Sequence, residues 1–174
     1  MKKIIFLDID GVLNNLEDIL HNKDIERPEQ PQDKHLKVLK EIIKRTKAEI
    51  VLSSAWRLTQ EGIQDVIDAL YRYKIHLRGV TPEGVLLTSL QSIGINVKPK
   101  LTDNHLGDIT VDDRGAEIAI WLHKHKEYKN FLILDDEVYD IKDYFPENYI
   151  KTNCNEGLLE KDIEKAVEIL NKSV

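Results

Sequence analysis

Two carboxylates stand two positions apart in the run Phe6-Leu7-Asp8-Ile9-Asp10-Gly11-Val12, directly after the apolar residues Ile4 to Leu7. Two further polar clusters sit in the same way. Ser53-Ser54-Ala55-Trp56-Arg57 follows Ile50-Val51-Leu52, and Asp135-Asp136-Glu137 follows Leu132-Ile133-Leu134. Each cluster taken alone has a plain reading. Asp-x-Asp-Gly is a common turn, Ser53 or Ser54 can cap a following helix, and an acidic pair can be a solvated loop, though two acids directly after a buried strand are costly unless compensated. Brought side by side, the clusters have chemistry. Asp8, Asp10, Asp135, Asp136 and Glu137 would repel one another, and a divalent cation is the natural way to hold them. Hard oxygen ligands with open positions suit Mg2+, which keeps several of its waters.

Juxtaposition requires a parallel sheet. Apolar and amphipathic runs alternate along the chain, which implies βαβ units with helices on both faces of the sheet. Residues 4–7, 49–53 and 130–134 read as buried strands, 149–152 as a fourth, and 75–80 as a weaker one. Leu36, Leu39, Ile42 and Ile43 stripe a helix over about 33–47. Ile63 to Tyr71 mark a second helix, Ile118 to His125 a third beginning near Arg114, and Leu159 to Leu170 a last one. Asp112 and Asp113 are placed to cap the third. Residues 15–32 and 81–113 show no clean period and read as small insertions, the second as a long loop or small subdomain near the site. The expected fold is α/β, a three-layer Rossmann-like single domain over 1–174 with a parallel sheet and a minimal cap. In such sheets ligands bind at the carboxyl ends of the strands, where all three clusters stand.

The bulk properties narrow the function. The chain has 174 residues, a formal net charge of -6 and 41% hydrophobic residues. The acidic balance disfavours strong non-specific nucleic-acid binding and binding to anionic membrane. No apolar stretch is long enough for a membrane span, and the run after Lys3 is too short for a signal peptide. A single cysteine, Cys154, excludes an internal disulfide and fits a reducing, cytoplasmic setting.

Asp-x-Asp-Gly-Val after a strand resembles motif I of the haloacid dehalogenase (HAD) superfamily. Ser53 resembles its motif II and Asp135-Asp136 its acidic motif IV. Arg114 stands where the motif III cation is expected, before the last of these strands; Lys98 and Lys100 are the fallback candidates. Leu-Asp-Ile-Asp-Gly-Val-Leu-Asn, Ser-Ser-Ala-Trp-Arg, Arg-Gly-Ala-Glu-Ile-Ala-Ile-Trp-Leu and Ile-Leu-Asp-Asp are similar to the small capless branch associated with RNA-repair proteins. The resemblance implies a Mg2+-dependent phosphohydrolase acting on a phosphomonoester, with a nucleotide or nucleic-acid end as one substrate class. A phosphotransferase of the same mechanism and a non-catalytic phosphate sensor are the alternatives.

The same resemblance implies the roles. Asp8 is the nucleophile and forms an aspartyl-phosphate; Asp10 is the general acid and then the base. Asp8, Asp135 and the Asp10 carbonyl hold the metal, with Asp136 acting through a water or orienting Arg114. Ser53 and Arg114 bind the phosphoryl group. Gly11 lets the backbone turn so that its amides face that group, and Ser54 and Arg57 are further phosphate candidates. Trp56 reads as core packing or a substrate stack, and Asn14 and Asn15 as loop residues or lining of the opening. His123 and His125, two apart on a helix, do not face each other as a metal pair would. Cys154 reads as structural or incidental.

Overall fold

The computed structural model describes residues 2–17, 31–95, 101–103, 109–111, 113–138 and 140–172. Its main sheet contains β1 (Lys2–Leu7), β2 (Glu49–Leu52), β3 (Leu77–Val80), β7 (Tyr128–Asp135) and β8 (Tyr149–Lys151) in the order β3-β2-β1-β7-β8. Every neighbouring pair is parallel. β1 is central. It aligns Leu7 with Leu52 on one side and with Leu134 on the other, which brings the three polar clusters to one edge.

The apolar run of β1 has no alternation because both faces are buried. Ile5 and Leu7 join a large core with Leu39 and Ile42 of α1 (Asp33–Thr46), Val66 and Leu70 of α2 (Gln60–Arg72), and Ala166 and Leu170 of a C-terminal helix, Ile163–Asn171. Ile4 and Phe6 point the other way, onto Ile118 and Trp121 of α4 (Arg114–Lys124) and Ile141 of α5 (Ile141–Tyr144). Phe6 and Trp121 meet edge to face with ring centroids 5.3 Å apart, a favoured aromatic geometry. The C-terminal helix is α6. The result is the three-layer α/β arrangement expected from the alternating pattern.

Residues 81–113 hold more order than their composition suggests. β4 (Val85–Leu86), β5 (Leu101–Asp103) and β6 (Ile109–Val111) form an antiparallel sheet in the order β4-β6-β5, with α3 (Leu87–Ser92) beside it. Val85, Leu90 and Val111 pack on Ala116 and Ile120, so this small unit sits on α4. Strands of two or three residues are too short to show a period. The fallback cations Lys98 and Lys100, the capping candidate Asp112, and most of the 15–32 insertion lie outside the described residues.

The expected cap of α4 is corrected. Asp113 occupies the N-cap position but makes no capping bond with its side chain; it accepts the Tyr144 hydroxyl at 3.2 Å. Asp140 takes the capping part from a distance, accepting the Gly115 N–H at 2.7 Å. No helix among the described residues is long and apolar enough to cross a membrane.

Candidate active site

The sheet ladder continues one residue past four of its strands. Asp8 N donates to Leu134 O at 3.0 Å, Ser53 N to Leu7 O at 2.9 Å, Thr81 N to Leu52 O at 3.0 Å, and Thr152 N to the carbonyl of Asp135 at 3.0 Å. Asp8 and Ser53 therefore inherit the rigidity of the sheet, and Asp135 is itself the last residue of β7.

After Asp8 the chain turns tightly. The amides of Val12, Leu13 and Asn14 converge on Ile9 O at 2.7–3.2 Å, and Ile9, Val12 and Leu13 anchor the turn in the core. Gly11 has φ 71°, a left-handed conformation. A Cβ there would come within 2.2 Å of Asp136 Cγ, so glycine admits the Asp136 side chain to the site. The Thr152 hydroxyl donates to Gly11 O at 2.7 Å and holds the turn from beyond β8.

Asp8, Asp135 and Asp136 each bring a carboxylate oxygen within 4.8 Å of the others. Arg114, first residue of α4, places Nη1 2.7 Å from Asp135 Oδ2 and 3.1 Å from Asp8 Oδ2. Asp135 is fully buried, and its other oxygen accepts the Glu137 N–H at 2.8 Å. Burial holds the Asp135 carboxyl above the usual carboxylate range; Arg114 opposes this and Asp8 adds to it. Burial and then Asp8 raise Asp136 as well. Burial alone would lower the Arg114 guanidinium, but Asp8 and Asp135 outweigh it and raise it. One guanidinium facing three clustered carboxylates leaves excess negative charge, and an oxygen-only donor set of this kind fits Mg2+.

Ser53 is fully buried, and its Oγ has no hydrogen-bond partner among the described residues. Burying a hydroxyl unpaired is costly, and a phosphoryl oxygen would satisfy it. Its neighbour Ser54 is used differently, accepting the Trp56 N–H at 3.4 Å as the cap of the 3-10 turn Ala55–Leu58. Of the two serines weighed as caps, the structure gives that part to Ser54.

Asp10 stands apart from the carboxylate triad. Its oxygens accept Asn14 Nδ2 at 3.1 Å and Trp56 Nε1 at 2.9 Å. Trp56 also packs partly against the larger core. Arg57 turns to Glu117: its Nη2 lies 2.7 and 2.6 Å from the two carboxylate oxygens, and the guanidinium also bonds the carbonyls of Ser53 and Ser54. Glu117 in turn accepts the Gly84 N–H at 3.0 Å. These bonds favour a part for Arg57 in fixing the Ser53 turn over direct phosphate contact.

The remaining candidates have other surroundings. Asn15 is buried behind the turn and bonds Gln32 and His35. His125 stacks on Trp121 with centroids 3.8 Å apart. Cys154 is a free thiol. Glu117, Thr152 and Asp140 escaped sequence reasoning. Their partners are remote in sequence, and only the position of Glu117, three residues after Arg114 on the same helix face, could have drawn attention to it. A cleft of about 400 Å³ opens beside Arg114 and is lined also by Ala55, Leu58, Glu83, Glu137 and Asp140.

No curated protein and no solved structure matches the chain. The family model for the HAD domain in Swiss Army Knife RNA repair proteins matches residues 4–163, a span that contains Asp8, Ser53, Arg114 and Asp135 in the order in which the structure converges them. The chain belongs to this family of HAD domains, a phosphohydrolase family of the HAD type.

Proposed function

We propose that the protein is a Mg2+-dependent phosphohydrolase that cleaves a phosphomonoester through an aspartyl-phosphate on Asp8. The observation that carries this reading is the Asp8–Asp135–Asp136 triad clasped by Arg114. Asp8, Asp135 and Asp136 would hold the cation, which neutralises charge on the phosphoryl group and orients it.

The other steps belong to the chain. An Asp8 carboxylate oxygen attacks phosphorus, and the bond from phosphorus to the leaving oxygen breaks. Asp10 gives its proton to that oxygen. Asp10 then takes a proton from a water that attacks the phosphorus of the aspartyl-phosphate. Inorganic phosphate leaves and the Asp8 carboxylate is restored. The Ser53 hydroxyl donates to a phosphoryl oxygen, and the Arg114 guanidinium stabilises the charge that develops during transfer. The family description supports a nucleotide or a nucleic-acid end as the substrate class.

The test is hydrolysis of p-nitrophenyl phosphate with magnesium, followed by a panel of nucleotides and end-phosphorylated oligonucleotides. Asp8→Asn abolishes turnover and Asp10→Asn reduces it severely. Full activity in Asp8→Asn ends the nucleophile assignment.

A further inference from the structure

We infer that Trp56 and Asn14 are positioning residues for proton transfer, a pair of N–H donors that aim the Asp10 carboxyl at the leaving group. The inference rests on the phosphohydrolase reading and deepens it.

Three observations carry it. First, each oxygen of Asp10 has its own donor: Asn14 Nδ2 on one at 3.1 Å and Trp56 Nε1 on the other at 2.9 Å. An indole N–H can only donate, so the Trp56 bond has one sense. Two donors on two oxygens fix the plane of the carboxyl and leave each oxygen a second lone pair for the transferred proton. Second, both donors are anchored. Asn14 is buried, its backbone amide tied to Ile9 O at 2.9 Å. Trp56 rests on the larger core, and its own amide is capped by Ser54. Asp10 itself is exposed, and an exposed carboxylate without such anchors would sample many rotamers. Third, Trp56 lies three residues after Ser53, whose unpartnered hydroxyl marks the phosphoryl side of the site. One short turn thus fixes where the phosphoryl group sits and where the proton arrives.

A general acid matters in proportion to the need of the leaving group for a proton. p-Nitrophenolate leaves without one, whereas an alkoxide does not. The experiment measures kcat/KM for p-nitrophenyl phosphate and for an alkyl phosphate, glycerol phosphate, in wild type, Trp56→Phe and Asn14→Ala. Phenylalanine keeps an aromatic ring on the core and removes the indole N–H donor. Each variant is expected to lose roughly tenfold more activity on the alkyl ester than on the aryl ester, a fraction of what full general acid catalysis supplies. If Trp56→Phe fails to fold, Asn14→Ala gives the same ratio through the other donor. A second readout needs no turnover. The chain has two tryptophans, and in a proton–nitrogen NMR spectrum Asp10→Ala should move the indole N–H signal of Trp56 and leave that of Trp121 in place.

Equal losses on both esters, or an unmoved Trp56 signal, overturn the positioning part and leave the phosphatase reading intact. A wild type that hydrolyses neither ester overturns that reading and this inference with it.

Discussion

Arg57 and Glu117 form an ion pair with an N–O distance of 2.6 Å and both side chains less than one-tenth exposed. It joins the turn after β2 to the first turn of α4, and so ties Ser53 to Arg114. Removing one partner leaves a buried, uncompensated charge, which costs about 3–5 kcal/mol. Glu117→Ala and Arg57→Ala should each lower stability by an amount in that range in denaturant titrations. The double variant should lose less than the sum of the two. Full additivity would show that the pair does not couple the two elements.

Ser53→Ala separates stability from activity. The hydroxyl is buried without a partner among the described residues, so its removal should leave the melting temperature unchanged or raise it slightly. Turnover of p-nitrophenyl phosphate should fall by about a hundredfold, as for loss of one preorganised donor. A destabilised but fully active variant would refute the phosphoryl contact.

Gly11→Ala sets a methyl group against Asp136 and forces a left-handed backbone on a residue that resists it. The backbone alone should cost about 1–2 kcal/mol. Displacing Asp136 should weaken magnesium binding by about tenfold or more, as measured by calorimetry, in line with losses seen when metal ligands are disturbed. Unchanged affinity would mean that Asp136 contributes little to holding the cation.

Protons and metal should compete for the triad. The Asp135 and Asp136 carboxyls are both raised, chiefly by burial. A raised carboxyl favours the folded state while protonated, and that contribution disappears as pH climbs from about 4 through the elevated value. The metal-free protein should therefore lose stability from this source on the way to neutral pH. Magnesium should restore it, with a larger increment in melting temperature near about pH 8 than near about pH 5.5. An increment independent of pH would indicate binding away from these carboxylates.

The sequence was most readable where one strand does two jobs. Ile4 to Leu7, Ile50 to Leu52 and Leu132 to Leu134 are buried on both faces, so their uninterrupted apolar runs stood out, and the polar residue ending each run marked the site. What could not be read were contacts between distant segments. Arg57 and Glu117 are 60 positions apart, and Thr152 and Gly11 are 141 apart; no periodicity links such pairs. Trp56 could be assigned to packing from its type, yet the direction of its N–H depends on where the turn before α2 places the ring. In the 81–113 segment, β4 to β6 draw their stability from pairing with one another and from α4, and so carry little local signal.

The hydrogen bond from Thr152 to Gly11 has a consequence for biosynthesis. Asp8 is translated well before Thr152, yet the loop that follows it is braced by the Thr152 hydroxyl, and its strand pairs with β7. On the ribosome, Asp8 must wait for residue 152 to clear the exit tunnel before its surroundings exist. A nascent chain arrested earlier therefore carries Asp8 without the bond that braces its loop.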